Sequence, residues 1–89
     1  MTNRYTYRTE SAVDNNQALF LAKSMGLTVV GKRYVKRGIT EVIYITVESK
    51  DTFEFLRKRF RERVYNDGRF SRLHTCFQSL APGNEPSDA

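Results

Sequence analysis

The chain has 89 residues, with fifteen Lys and Arg against ten Asp and Glu, a net charge of +5 and 39% hydrophobic residues. This length suits one small domain, and the composition excludes both a disordered and a fibrous chain. A single cysteine excludes an intramolecular disulfide, and no apolar run approaches the ~18 residues of a membrane span. We therefore expect a cytoplasmic domain over residues 1–80 without membrane contact, followed by a disordered tail at 81–89.

The first half of the chain predicts a strand, a helix and two further strands. Residues 4–9 alternate aromatic and polar side chains, the pattern of a half-buried strand. Ser11 is placed to cap the start of a helix, and Gly26 is placed for a left-handed C-cap at its end. Residues 27–36 and 40–48 are rich in Val, Ile and Tyr, which favours two strands joined by a short turn. The apolar stripe of the helix comprises Ala18, Leu21, Ala22 and Met25.

The second half predicts another helix and a last strand. Ser49 or Asp51 can cap this helix, and the turn at 66–68 ends it. Residues 72–80 alternate well enough to form a strand. The resulting order predicts an α+β, single-domain ferredoxin-like βαββαβ fold, with an antiparallel sheet and two helices on one face. The apolar stripe of the second helix comprises Phe53, Leu56, Phe60 and Val64.

The positive charge is concentrated in one stretch. Residues 57–72 carry seven basic residues against two acidic ones, a difference that equals the whole net charge of the chain. A helix selected only for stability would interleave the two signs, because like charges one turn apart are destabilising. This stretch therefore predicts a binding surface for an acidic partner, with a solvated face that keeps the protein soluble as the alternative. The basic residues are Arg57, Lys58, Arg59, Arg61, Arg63, Arg69 and Arg72.

Phe20 and Phe55 are predicted to face away from the core. Each lies roughly 180–200° around its helix from the apolar stripe, at about 100° per residue. Exposed rings beside Arg59 and Arg63 are typical of an interface anchor inside a charged rim. The alternative is that each ring packs on a loop or on a neighbouring aliphatic chain, as single exposed apolar residues often do.

Tyr44 is the aromatic residue expected on the face of the sheet away from the helices. The alternation of its strand turns Ile43, Ile45 and Val47 toward the helices and Tyr44 outward. RNA-recognition motifs share the predicted topology and stack bases on aromatic residues of that face. Glu41 stands where such a ring would lie, so we assign the chain to no family.

His74 and Cys76 are the residues most suggestive of metal or nucleophilic chemistry. At i and i+2 on the predicted last strand they would share one face. No further ligands follow at a recognisable spacing, and no orienting acid or oxyanion site accompanies the pair. We expect a structural role for both residues, with no metal, no cofactor and no catalysis.

Together these features predict a small non-catalytic basic module that acts on nucleic acid or a nucleoprotein complex through its Arg-rich second helix. The alternative is a protein-binding inhibitor or adaptor that docks its basic and aromatic helical face on an acidic protein surface. A phage or mobile element often encodes such small proteins against a host machine. Ferredoxin-like domains often pair edge strands or helix faces, so a homodimer is also compatible with the sequence.

Overall fold

A computed structural model describes residues 2–83 of the chain, apart from the side chain of Arg37. The fold is α+β: three α-helices pack on one face of a four-stranded antiparallel sheet. The elements in chain order are β1 (Asn3–Thr9), α1 (Ala12–Ser24), β2 (Thr28–Arg37), β3 (Thr40–Ser49), α2 (Phe53–Asn66), a 3₁₀ helix (Gly68–Leu73), α3 (His74–Gln78) and β4 (Ala81–Pro82).

The strands are arranged in the order β2-β3-β1-β4. β3 pairs with β1 from Ser49 opposite Asn3 to Ile43 opposite Thr9, and every pairing in the sheet is antiparallel. The predicted α+β class and antiparallel sheet are therefore confirmed. The element order differs from the predicted βαββαβ, because the described residues form three α-helices and the last strand has two residues.

The bounds of α1 follow from its sequence as predicted. The Ser11 hydroxyl oxygen accepts a hydrogen bond from the backbone N–H of Asp14 at 3.1 Å, which satisfies one of the free donors of the first turn. Gly26 follows the helix with φ of 75°, a conformation that side chains with a Cβ rarely adopt. The four residues of the predicted stripe are all buried.

The start of α2 differs from the prediction. Its N-cap is Thr52, whose side-chain oxygen accepts from the backbone N–H of Phe55 at 3.3 Å. The two predicted caps are engaged elsewhere. The Ser49 hydroxyl accepts from the backbone N–H of Asp51 at 3.0 Å, and the Asp51 carboxylate binds Arg59.

The predicted strand over residues 72–80 is wrong. Phe70, Leu73, Phe77 and Leu80 are all at most 6% exposed. They recur every three or four residues, which is the spacing of a helix. The 3₁₀ helix and α3 therefore continue the helical layer and turn these four side chains into the core.

The sheet is completed by a much shorter strand than predicted. Ala81–Pro82 pairs with β1, and the backbone N–H of Gly83 donates to the carbonyl oxygen of Arg4 at 2.9 Å. The first residues of the tail predicted at 81–89 thus belong to the sheet edge. Its remaining part, 84–89, lies outside the described residues.

Phe60 occupies the centre of the core and confirms the predicted stripe of α2. Its side chain is fully buried. The ring packs edge-to-face on Tyr7, with 5.3 Å between the centroids, and lies 6.0 Å from the ring of Phe77. These contacts join α2 to β1 beneath it and to α3 beside it.

Candidate functional site

α2 presents its basic side chains on two flanks of the buried stripe. At about 100° per residue, Arg57 and Arg61 lie on one flank, and Arg59 and Arg63 lie on the other. The contacts agree with this division. The first pair lies beside rings of α2 and α3, whereas the second pair reaches the end of α1. Lys58 is exposed on the outer surface between the flanks.

Arg59 is part of the structure rather than of an open surface. Its Nη1 donates to Oδ2 of Asp51 at 2.5 Å, and its Nη2 donates to the carbonyl oxygen of Met25 at 2.9 Å. The side chain is 34% exposed. On the same flank, Nη1 of Arg63 lies 3.5 Å from the hydroxyl oxygen of Ser24. The Arg59 side chain therefore ties α2 to the loop before it and to the end of α1, which leaves it less available to a partner than the sequence predicts.

The other flank combines cations with aromatic rings. The guanidinium carbon of Arg57 lies 5.1 Å from the ring centroid of Phe77, and that of Arg61 lies 5.8 Å from the ring of Tyr65. Tyr65 stacks on His74 with 4.5 Å between centroids and 19° between planes. We call Arg57, Arg61, Tyr65 and His74 the arginine–aromatic face. All four side chains are exposed.

Buried rings hold this face in place. Tyr65 is 51% exposed, yet its ring also packs edge-to-face on Phe77, at 6.1 Å between centroids. Phe77 is 6% exposed and contacts Phe60 in the core. The aromatic supports of both guanidinium groups are therefore anchored to the core, so the face is preorganised.

Arg69 and Arg72 each lie against a carboxylate. Arg69 donates to both carboxylate oxygens of Asp67, at 3.1 and 2.8 Å. The carboxylate also accepts from the backbone N–H of Arg69 at 3.0 Å, which caps the 3₁₀ helix. The side-chain hydrogen bond from Arg69 is the largest cause that lowers the pKa of Asp67 to about 2. Nε of Arg72 lies 3.4 Å from Oδ1 of Asp14. Both guanidinium groups are exposed, but each already has an acidic partner within the molecule.

Phe20 and Phe55 face outward, each 53% exposed. Phe20 packs edge-to-face on Phe70 at 5.9 Å, and the guanidinium carbon of Arg69 lies 5.6 Å from its centroid. The guanidinium carbon of Arg59 lies 5.9 Å from the ring centroid of Phe55. The two rings therefore have different cationic neighbours on the helical layer.

Tyr44 does not provide the exposed ring that the alternation of β3 predicts. It faces away from the helices, as expected, but it is 7% exposed. Its cross-strand neighbours are Arg8 and Arg33, whose strands flank it on both sides. Tyr5 and Tyr7 both face the helical layer, so they cannot form an aromatic surface with Tyr44 on the opposite face of the sheet. This face therefore presents no open aromatic surface at Tyr44.

His74 and Cys76 lie on α3 rather than on a strand, so they do not share a face. His74 is exposed, whereas Cys76 is 3% exposed. Burial, with a smaller contribution from the charge of Asp14, raises the pKa of the Cys76 thiol well above its ordinary value and disfavours the thiolate. Residues 2–83 contain no cluster of three His, Cys, Asp or Glu side chains that could hold a metal ion.

Tyr65 and His74 were not predicted as members of the site. Tyr65 follows Arg61 by four residues, a spacing that places the two side chains on one helix face. That signal was available in the sequence. His74 joins them only because the 3₁₀ helix and α3 fold back beside α2, and the helical spacing of the C-terminal apolar residues was the only indication of this.

In the described part of the chain, no helix is long and apolar enough to cross a membrane. Comparisons with protein-family models, with curated proteins and with solved structures gave no match for this chain. The candidate site is therefore defined by the geometry of α2 and its neighbours.

Proposed function

We propose that the protein is a small non-catalytic module that binds nucleic acid, free or within a nucleoprotein complex, through α2. The arginine–aromatic face carries this proposal. Neither Arg57 nor Arg61 forms an ion pair with the residues that the structure describes. Guanidinium groups suit bidentate contact with phosphate, and rings that hold them reduce the side-chain entropy lost on binding.

The charges exposed on α2 favour contact with only a few phosphates. Lys58 adds a third exposed cation to Arg57 and Arg61, whereas Glu54 and Glu62 lie on the outer surface of the same helix. Three contacted phosphates predict a slope of about −3 for the logarithm of affinity against the logarithm of salt concentration on duplex DNA. Binding should therefore be moderate and strongly dependent on salt.

The groups with shifted pKa values support a non-catalytic role. Burial raises the pKa values of Tyr7 and Cys76, so both hold their protons in the core. Asp67, whose pKa is lowered, caps a helix and binds Arg69. None of these three groups combines a reactive charge state with an open cleft, which is what catalytic groups require.

We also propose that the fold is a variant of the ferredoxin-like arrangement. The position of β1 between β3 and β4, with the helices on one face, supports this. The two-residue β4 and the additional α3 are the departures from it.

The test is a fluorescence-anisotropy titration of duplex and single-stranded DNA and RNA across a salt series. The double variant Arg57→Gln and Arg61→Gln should bind more weakly, and its salt slope should be shallower by about 2, one unit per lost phosphate contact. The matched control is Lys23→Gln with Lys50→Gln, which removes the same charge at exposed positions outside the face. Equal losses in both variants would mean that net charge alone drives binding. Absence of binding by the wild type at low salt would exclude nucleic acid as the partner.

A second candidate function is an adaptor or inhibitor that docks on an acidic protein surface. The half-exposed rings of Phe20 and Phe55 beside guanidinium groups favour it. Phe55→Ala distinguishes the two functions. A ring buried in a protein groove contributes ~2 kcal/mol or more to binding, whereas phosphate contacts by the opposite flank of α2 should be unaffected.

A further inference from the structure

The hairpin of β2 and β3 projects beyond the rest of the sheet. β1 ends at Thr9, opposite Ile43, whereas β2 and β3 continue through three further residue pairs. At about 3.4 Å per residue, these pairs form a two-stranded arm that extends roughly 10 Å beyond β1. Val42, at the base of this arm, is buried, so the part that projects freely is the two outer pairs and the turn. The turn at its end contains Gly38, whose φ of 60° allows the strands to reverse tightly.

Ile39 lies at the tip of this arm and is the most exposed large apolar residue in the described chain. Its exposed fraction is 103%, whereas the other exposed apolar side chains are between 39% and 58% exposed. Turns of this kind usually carry Gly, Asn, Asp or Ser. Single exposed apolar residues are common on protein surfaces. A β-branched side chain held at the end of a projecting arm, however, can gain contacts only from another molecule.

The strand that leads to the tip is basic. β2 contains Lys32, Arg33, Lys36 and Arg37 and no acidic residue, and Glu41, opposite Lys36 on β3, is the acidic residue of the arm. Residues 57–72 account for the whole net charge of the chain, because the basic and acidic residues outside this stretch are equal in number. Glu10, which follows β1, lines a pocket with Lys32 and Glu41. The four basic residues of β2 therefore exceed the two nearby carboxylates, and this excess of positive charge is complementary to a polyanion.

We propose that this arm is a second nucleic-acid contact, in which Ile39 acts as an apolar wedge in the minor groove of duplex DNA. The inference rests on the proposed nucleic-acid function and adds duplex DNA as the substrate class. Wedges of Ile, Leu, Phe or Met enter the minor groove and partly unstack a base step. The minor groove is about 6 Å wide and about 7.5 Å deep, which is too narrow for a two-stranded arm, so only the turn that carries Ile39 would enter it. The wide, shallow minor groove of A-form RNA would give the tip no such enclosure.

The experiment uses the full chain and a short DNA duplex that carries 2-aminopurine and an end-to-end FRET pair. Anisotropy measures affinity, 2-aminopurine fluorescence measures unstacking, and FRET measures bending. Ile39→Ser should lower affinity by about ten- to hundredfold, the range for loss of one buried Ile side chain. It should also abolish unstacking and bending, and it should leave the salt slope unchanged because no charge is removed.

Val13→Ser is the matched control, since Val13 is an apolar residue on α1 that is 52% exposed. It should bind, unstack and bend the duplex as the wild type does. A fully exposed side chain contributes little to folding, so Ile39→Ser should melt at the wild-type temperature.

The outcomes separate this inference from the proposed function. If the wild type binds the duplex without unstacking or bending it, or if Ile39→Ser behaves as wild type, the wedge is excluded while nucleic-acid binding stands. If Ile39→Ser instead loses binding to phosphatidylserine vesicles or loses self-association, the tip contacts a membrane or a second copy, and the wedge is likewise excluded. Absence of duplex binding by the wild type excludes the wedge and requires the proposed function to be judged on single strands and RNA.

Discussion

Replacing Arg59 by Met should destabilise the protein, whereas the same change at Arg57 should not. Met keeps most of the aliphatic chain of Arg59 but removes the ion pair with Asp51 and the hydrogen bond to the carbonyl oxygen of Met25. Charged hydrogen bonds contribute about 1.5–3 kcal/mol when buried. Because the Arg59 and Asp51 side chains are 34% and 21% exposed, solvent screening reduces that contribution. We expect a loss of about 1–2 kcal/mol in the free energy of unfolding.

Urea unfolding followed by circular dichroism measures this loss. For a domain of this size the slope of free energy against urea is about 1 kcal/mol/M, so the midpoint for Arg59→Met should fall by roughly 1–2 M. The slope itself should not change. In a thermal scan the same loss lowers Tm by about 4–8 °C per kcal/mol.

Arg57→Met is the control, since it removes the same charge from the same helix. It loses a contact with the Phe77 ring, and the cost of such an exposed cation–π contact is about 0.5–1 kcal/mol or less. Binding of nucleic acid should show the reverse order, because Arg57 belongs to the arginine–aromatic face and Arg59 does not. Equal stability of Arg59→Met and wild type would refute the structural role of Arg59. Equal destabilisation by both variants would refute the division of α2 into two flanks.

Two substitutions and one reactivity measurement test the core. Phe60→Ala should cost about 3–5 kcal/mol through the cavity it leaves, which rivals the whole stability of a small domain, so its circular-dichroism melt should be lost or strongly lowered; a wild-type melt would contradict the placement of Phe60. Burial raises the pKa of Tyr7 above its ordinary value of 10.0, so the unfolded chain loses this proton first and stability falls as pH rises above 10.0; Tyr7→Phe should move the midpoint of alkaline unfolding upward, and an unchanged midpoint would contradict this. The Cys76 thiol, 3% exposed with a raised pKa, should react with a disulfide reagent only as fast as the protein opens, and rapid reaction in the folded state would show that the core is not closed.

The first half of the fold is predictable because its signals are local. Ser11 and Gly26 mark the ends of α1 through hydrogen bonds and backbone conformations that involve neighbours within a few residues. Strands β2 and β3 are long runs of β-branched and aromatic residues around a glycine turn, so their pattern is repeated often enough to identify.

The C-terminal segment was mispredicted because its helices are short. Leu73, Thr75 and Phe77 alternate in the manner of a strand, and a five-residue α3 offers little more than one turn in which a helical period can be recognised. The decisive residues are Phe70 and Leu80, which continue the spacing of three and four residues on either side of Leu73 and Phe77. Both are buried, so the core determines the helical conformation.

The sequence predicts where the candidate site lies but not which residues form it, and Arg57 and Arg59 show why. The two residues have the same side chain and lie two positions apart on one amphipathic helix, so propensity, charge and hydrophobic pattern treat them alike. Arg59 differs because the carbonyl oxygen of Met25, 34 residues away in the sequence, lies within 2.9 Å of it in the fold. Arg57 differs because α3 brings Phe77 beneath it. A cluster of like charges in a sequence therefore predicts that a surface is cationic, whereas only the tertiary contacts determine which of those charges are available to a partner.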